Sequence, residues 1–193
     1  MSLLQATYQL LYLGSPILLA AVFQGLTIKY NWLVCLKKPM DMGLNIKGKR
    51  VLGDHKTWRG AAVNITFCTL GSIIQAGLQN VGHIPFWLPL LDYDKYAPLS
   101  GLLLGMGMTF GELPNSFLKR QLGIAPGMKG KHALRFIFFL FDQVDLTIGI
   151  WIFLFFFIRP SLELVAFSIL LTLVLHVSVS TVGYILGMRE TIV

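Results

Sequence analysis

The chain alternates long apolar runs with polar segments that hold most of its charges. A helix needs roughly 20 mostly apolar residues to cross a bilayer. The apolar runs predict five spans, at residues 8–28, 60–80, 97–113, 136–158 and 162–187. Pro160 leaves only a very short turn between the last two, which favours a helical hairpin. The pattern therefore predicts an all-α integral membrane protein, a bundle of about five transmembrane helices.

Lysine and arginine are shared unequally between the two ends of these spans. The segment between the first and second spans holds eight, the segment between the third and fourth holds five, and the tail adds Arg189. The opposite side has only Lys95 and Arg159. Because basic loops tend to stay in the cytoplasm, we expect the N-terminus outside and the basic segments and C-terminus in the cytoplasm. The chain is thus predicted to be a multi-pass protein of the cell membrane.

The composition agrees with the membrane class. Of the 193 residues, 55% are hydrophobic and 13% are charged, too few charges for an ordinary soluble domain. The net charge of +7 follows from residues that flank the spans, so no nucleic acid is expected as a partner. No repeat or linker divides the chain, which predicts a single membrane-embedded domain over residues 1–193. Cys35 and Cys68 lack metal-ligand spacing and are predicted to be unpaired structural thiols.

Glycines crowd the third span in two pairs with small-xxx-small spacing, Gly101 with Gly105 and Gly107 with Gly111. Such pairs let the backbones of neighbouring helices approach closely. We interpret them as packing faces rather than as a functional motif.

Two carboxylates lie in the very apolar fourth span. Asp142 and Asp145 are three residues apart, which puts them on one helix face. Burying a lone carboxylate in hydrocarbon is costly, so such residues usually face an interior cavity and mark function. Oxygen ligands one turn apart suit Mg²⁺ together with a substrate phosphate. Two alternatives stay open: ion-pair partners for Lys or Arg, or a later start of the span that leaves both acids in the interface.

A second polar element ends the third span. Pro114 fits the first turn of a helix, which predicts a break there and a new helix N-terminus, a phosphate-binding end, turned toward the site. In a continuous helix, Glu112, Ser116 and Lys119 would instead share one face. The alternative for Lys119 and Arg120 is the ordinary basic stop at a cytoplasmic boundary.

The third feature is the segment between the first two spans, where residues 41–60 mix basic residues with glycines. This composition can wrap anionic phosphates with backbone N–H groups and side chains. The spacing is not that of a Walker P-loop. A solvated basic loop that touches anionic lipid head groups remains the alternative.

At these three segments the sequence resembles the CDP-archaeol synthase family and, more distantly, the CDP-diacylglycerol synthases. Residues 48–60, GKRVLGDHKTWRG, are similar to the loop before that family's second span. Residues 111–120, GELPNSFLKR, resemble a G-D-L-x-x-S-x-x-K-R element, and residues 141–145, FDQVD, match a D-x-x-D element. Glu112 stands where the pattern usually has Asp, and His55 where the archaeal loop often has Gly.

The resemblance implies that CTP and a lipid phosphate react to give a CDP-lipid and pyrophosphate for phospholipid biosynthesis. It implies Mg²⁺ held by Asp142, Asp145 and Glu112, with Lys119 as a fourth catalytic residue. The residues implied to bind substrate are Lys56, Thr57, Arg59, Asn115, Ser116, Arg120 and Asp54. The site is expected at the cytoplasmic face of the membrane, where the lipid tails can enter between spans.

Two other classes of function compete with this one. A transporter or carrier could use the intramembrane carboxylates as a pathway, although transporters often carry internal repeats and this chain shows none. A non-catalytic scaffold held by the glycines of the third span would leave the buried acids unexplained. Magnesium-dependent binding of CTP is expected only of the enzyme.

Overall fold

The computed structural model describes residues 2–82, 84–125 and 132–185. In these ranges the chain forms five long helices: α1 (Leu3–Lys29), α2 (Trp58–Asn80), α3 (Tyr93–Gln121), α4 (His132–Leu154) and α5 (Leu162–Ile185). A short 3₁₀ turn covers Val34–Leu36, and a small hairpin pairs β1 (Asn45–Ile46) with β2 (Lys49–Arg50). Each predicted span coincides largely with one helix, and residues 186 and 187 of the fifth lie outside the described residues. The predicted helical architecture is confirmed.

The central helix, α3, packs closely against α2 on one side and α4 on the other. The first small-xxx-small pair faces α2, where a Cβ added to Gly105 would lie 2.8 Å from the carbonyl oxygen of Asn64. The second pair faces α4, where a Cβ added to Gly111 would lie 2.8 Å from the carbonyl oxygen of Asp145. Backbone atoms cannot move aside cheaply, so only glycine allows both contacts. The prediction that these glycines form packing faces is confirmed.

The predicted break at Pro114 is wrong, because α3 continues through it to Gln121. Proline has no N–H to donate to the carbonyl of Phe110, and inside a helix this costs about 3 kcal/mol. Two features hold the helix together beyond that point. Pro114 is exposed, so its ring lies away from the packed face. On the other side, Asn115 and Lys119 are bonded to α4, which fixes the turn that follows the proline.

Helix α4 begins and ends four residues earlier than predicted, at His132 and Leu154. Asp142 and Asp145 therefore lie about three turns into the helix, not near its start. The following turn returns the chain against α4 as a hairpin with α5. Trp151 Nε1 donates to Ser168 Oγ at 2.8 Å across this hairpin. The helical hairpin predicted around Pro160 is confirmed.

Two of the described helices, α1 and α2, are long and apolar enough to cross a membrane by length and composition. Shorter apolar stretches cover Val144–Leu154 and Leu162–Leu175. The helical membrane class is supported, and the count of five spans and their orientation stay predictions.

The segment between α1 and α2 folds back over one end of the bundle. Lys47 and Gly48 have positive φ angles of 50° and 76°, which allow a tight two-residue connection between β1 and β2. Arg120 Nε, in the last turn of α3, donates to the carbonyl of Leu52 at 3.1 Å. Because α2 and α3 run antiparallel, the start of α2 and the end of α3 meet under this loop.

Candidate active site

The site lies where the C-terminal part of α3 faces α4. An unbroken α3 places Glu112, Asn115 and Lys119 on successive turns of one face. The close contact of Gly111 with Gly149 and the Asp145 backbone brings that face against the acidic turn of α4. The glycine packing and the polar residues therefore belong to one arrangement.

Asn115 joins the two aspartates of α4. Its Nδ2 donates to Asp142 Oδ1 at 2.6 Å and to Asp145 Oδ2 at 2.8 Å. Lys119 also donates to both oxygens of Asp142, one of them at 2.6 Å. Asn115 is only 5% exposed, whereas the Asp142 side chain is 45% exposed, so the amide is buried and one of its two carboxylate partners faces solvent. One amide and one amine thus fix two carboxylates at a set spacing.

A second ion pair joins Lys56, in the loop before α2, to Glu112 of α3. Thr57 follows Lys56 and caps α2, since its hydroxyl oxygen accepts from Gly60 N at 3.2 Å. This cap sets where α2 begins and hence where Lys56 leaves the loop. The basic loop and the acidic face of α3 are therefore in direct contact.

The remaining predicted substrate-binding residues lie around this centre without bonding to its carboxylates. Arg59 is buried and donates to Oδ1 of Asn31, just after α1, at 3.3 Å. Asp54 is exposed and pairs with Arg50 at 3.0 Å. Arg120 bonds to backbone carbonyls of Leu52 and Ile124. Ser116 is half-buried on α3, and its hydroxyl makes no hydrogen bond within the described part of the chain.

The structure also reveals a residue that sequence reasoning missed. Asp41 is buried, and its carboxylate accepts from Arg50 and from the backbone N–H groups of Gly43, Leu52 and Gly53. Burial alone would raise the pKa of Asp41, but the Arg50 guanidinium and these N–H groups hold it well below its usual range. The Asp-x-Gly spacing of Asp41 and Gly43, typical of an Asx turn, is the signal that could have found it.

The site offers carboxylate oxygens, the ligands that magnesium prefers. Among residues 2–82, 84–125 and 132–185, no group of three His, Cys, Asp or Glu side chains lies close enough to hold a metal ion. Carboxylate oxygens nevertheless fit Mg²⁺, which is usually bound through one or two carboxylates plus substrate phosphates. Asp142 and Asp145 supply two such carboxylates. The residues present therefore fit a magnesium ion that arrives with a phosphate substrate.

The architecture defines a helical membrane protein with a polar site at one end of its central helices. A solved structure described as an intramembrane enzyme for archaeal membrane lipids biosynthesis has the same fold, with a TM-score of 0.63. It is 20% identical and covers 89% of this chain and 92% of its own.

The family follows from the sequence as a whole. A family model described as CarS-like, CDP-archaeol synthase, matches residues 8–193. CDP-archaeol synthases of Methanosarcina barkeri and Methanosphaerula palustris are each 31% identical, and each alignment covers 93% of this chain and 96% of the relative. This chain belongs to the CDP-archaeol synthase family, so the resemblance carried by its three segments is confirmed.

Proposed function

We propose that this protein transfers a cytidylyl group from CTP to a membrane lipid phosphate, giving a CDP-activated lipid and pyrophosphate. Membership of the CDP-archaeol synthase family supports this reaction class. The observation that carries the proposal is the cluster in which Asn115 links Asp142 to Asp145 while Lys119 neutralises Asp142. Joining two polyanions requires both metal-binding acids and phosphate-binding amines, and this cluster contains both.

The reaction needs positioning more than it needs a general base. A phosphate monoester is largely a dianion at pH 7, because its second pKa is about 6. One of its oxygens attacks the α-phosphorus of CTP, and the new P–O bond forms as the bond to the α,β-bridging oxygen breaks. Pyrophosphate leaves with that electron pair, and no protein group has to accept a proton.

Asp142 and Asp145 would hold Mg²⁺. Glu112 is not grouped with them in the structure and pairs with Lys56, so it would become a third carboxylate only after that ion pair opens. The ion would offset the charge of the triphosphate and of the departing pyrophosphate. Asn115 sets the spacing of the two aspartates and so prepares the ligand geometry in advance. This role explains why an amide, rather than an apolar side chain, lies between them.

The cations at the site would bind phosphate oxygens. Lys119 and Lys56 are paired with carboxylates, and substrate phosphates can replace those carboxylates as partners when the acids bind metal. Arg120 and Arg59 would add positive charge at the rim, and Ser116, Thr57 and Asp54 would contribute hydrogen bonds from the same end of the bundle. We further propose that five spans place this end at the cytoplasmic face, where the lipid phosphate lies at head-group depth.

The metal assignment predicts that Asp142→Asn and Asp145→Asn each abolish pyrophosphate release from CTP and a lipid phosphate. Each change keeps the size of the side chain and removes the charge that a cation requires. Purified protein of matched helical content is assayed, with Asp94→Asn, an exposed acid in the first turn of α3, as the control. Near-normal turnover by both site variants, or full activity in excess chelator, would contradict the assignment.

A further inference from the structure

The polar centre of the loop between α1 and α2 is the carboxylate of Asp41. Its side chain is 1% exposed. Arg50 Nη2 donates to Oδ1 at 2.8 Å, and the N–H groups of Leu52 and Gly53 donate to Oδ2 at 2.9 and 3.0 Å. A buried carboxylate is tolerated only when its oxygens are fully paired. Asp41 therefore draws the hairpin strand and the turn after it toward one point.

The loop gathered in this way docks onto the last turn of α3. Arg120 Nε donates to Leu52 O at 3.1 Å, and Gln121 Nε2 donates to Arg50 O at 3.4 Å. Lys49 Nζ also donates to the carbonyl of Gln121. The residues that α3 contacts are thus the ones that Asp41 holds, so the two sets of bonds support each other.

Lys56 is hydrogen-bonded to Met40, the residue that precedes Asp41 in the loop. The N–H of Met40 donates to the carbonyl of Lys56 at 2.7 Å, and Trp58 N donates to Lys38 O at 3.0 Å. The backbone of Lys56 therefore runs beside the segment that carries Asp41, while its amine reaches Glu112.

We propose that Asp41 is a positioning residue for nucleotide binding: it holds the loop on α3 so that Lys56 faces the triphosphate. This inference rests on the proposed function, and it adds a residue that contacts neither the carboxylate cluster nor Glu112. Removing the Asp41 charge weakens its bonds to Arg50 and to three backbone N–H groups, so the docked loop becomes one of several conformations. The apparent affinity for CTP then falls in proportion to the fraction of molecules in which the loop remains docked on α3.

The experiment measures the Kd of CTP with Mg²⁺ for Asp41→Asn, Lys56→Met and the double variant of the full chain in detergent. We expect Asp41→Asn to raise the Kd about tenfold. The double variant should be no weaker than Lys56→Met alone, because Asp41 acts through Lys56 and the effects are not additive. Glu163→Gln, an exposed acid at the start of α5, is the charge-matched control and should bind as the unmodified protein does.

A second measurement separates positioning from general destabilisation. Backbone hydrogen exchange in Asp41→Asn should accelerate at residues 43, 52 and 53, with unchanged protection in α2 and α3. An unchanged Kd, multiplicative effects in the double variant, or exchange that accelerates throughout the bundle would overturn the positioning role. If the unmodified protein lacks magnesium-dependent CTP binding, the proposed function itself fails, while the exchange result still reports whether Asp41 holds the loop.

Discussion

Asn115 lies between two like charges that would otherwise repel each other. Its amide donates one proton toward Asp142 and one toward Asp145, so it reduces the repulsion and sets their separation. Its carbonyl oxygen is buried and has no hydrogen-bond partner among the described residues. Such an oxygen is costly in the resting protein and is suited to a cation or a donor supplied by a ligand.

Replacing Asn115 by leucine tests this role at the scale of one side chain. The substitution removes two hydrogen bonds to charged groups, each worth about 1.5–3 kcal/mol. We expect kcat/KM to fall by about a hundredfold or more, since the two bonds together amount to at least about 3 kcal/mol and 1.4 kcal/mol corresponds to a factor of ten. Asn80→Leu, at the exposed far end of α2, is the matched control. Equal activity of the two variants would show that Asn115 does not organise the acids.

At the scale of elements, the glycines of α3 decide how closely three helices approach. The face toward α2 and the face toward α4 both depend on a missing Cβ. The contact at Gly111 also shapes the proposed site, because Glu112 follows Gly111 and the Asp145 backbone faces it. Packing and site geometry are therefore coupled through one helix.

Alanine substitutions measure this coupling. A Cβ at Gly105 would collide with the α2 backbone, and overpacking costs about 1–3 kcal/mol. We expect Gly105→Ala to lower the free energy of unfolding by that amount, measured by thermal unfolding in one detergent. Gly77→Ala is the matched control, since an added Cβ there meets nothing within 4 Å. It should leave stability unchanged or raise it by about 0.5–1 kcal/mol. A control as destabilised as Gly105→Ala would contradict the packing account.

The sequence alone predicted the elements that depend on patterns of neighbouring residues. Apolar runs located five helices, and glycine spacing identified both packing faces. Pro114 misled the prediction because the bonds that keep α3 continuous come from Asp142, 27 residues away from Asn115. Asp41 was overlooked because its importance depends on long-range docking of the loop onto α3. The pairing of Lys56 with Glu112 likewise could not be predicted, because the two residues are 56 positions apart and no local sequence pattern links them.

At the scale of the whole molecule, the basic loop between α1 and α2 and the basic last turn of α3 lie at the same end of the bundle as the acidic cluster. The charge bias by itself predicts only orientation. The contacts of Lys56 with Glu112 and of Lys119 with Asp142 show that part of this positive charge faces carboxylates rather than solvent alone. The uneven distribution of basic residues therefore accounts both for the predicted orientation and for the cations of the proposed site.

The orientation can be tested with a natural probe. Cys35, in the basic segment after α1, is an exposed free thiol, whereas Cys68 is a buried one. We expect a membrane-impermeant maleimide to label the protein in inside-out vesicles and not in right-side-out vesicles, because the segment is predicted to be cytoplasmic. Cys35→Ser should abolish the labelling. Labelling from the outer face only would reverse the predicted topology.

Product analysis tests the central claim most directly. Purified protein is incubated with Mg²⁺, CTP labelled at the α-phosphate and a panel of lipid phosphates that includes phosphatidate and a diether lipid phosphate. The account predicts a labelled CDP-lipid with at least one of these acceptors and one pyrophosphate per lipid formed. Free CMP without labelled lipid, or no consumption of CTP with any acceptor by a protein that is folded, would contradict it.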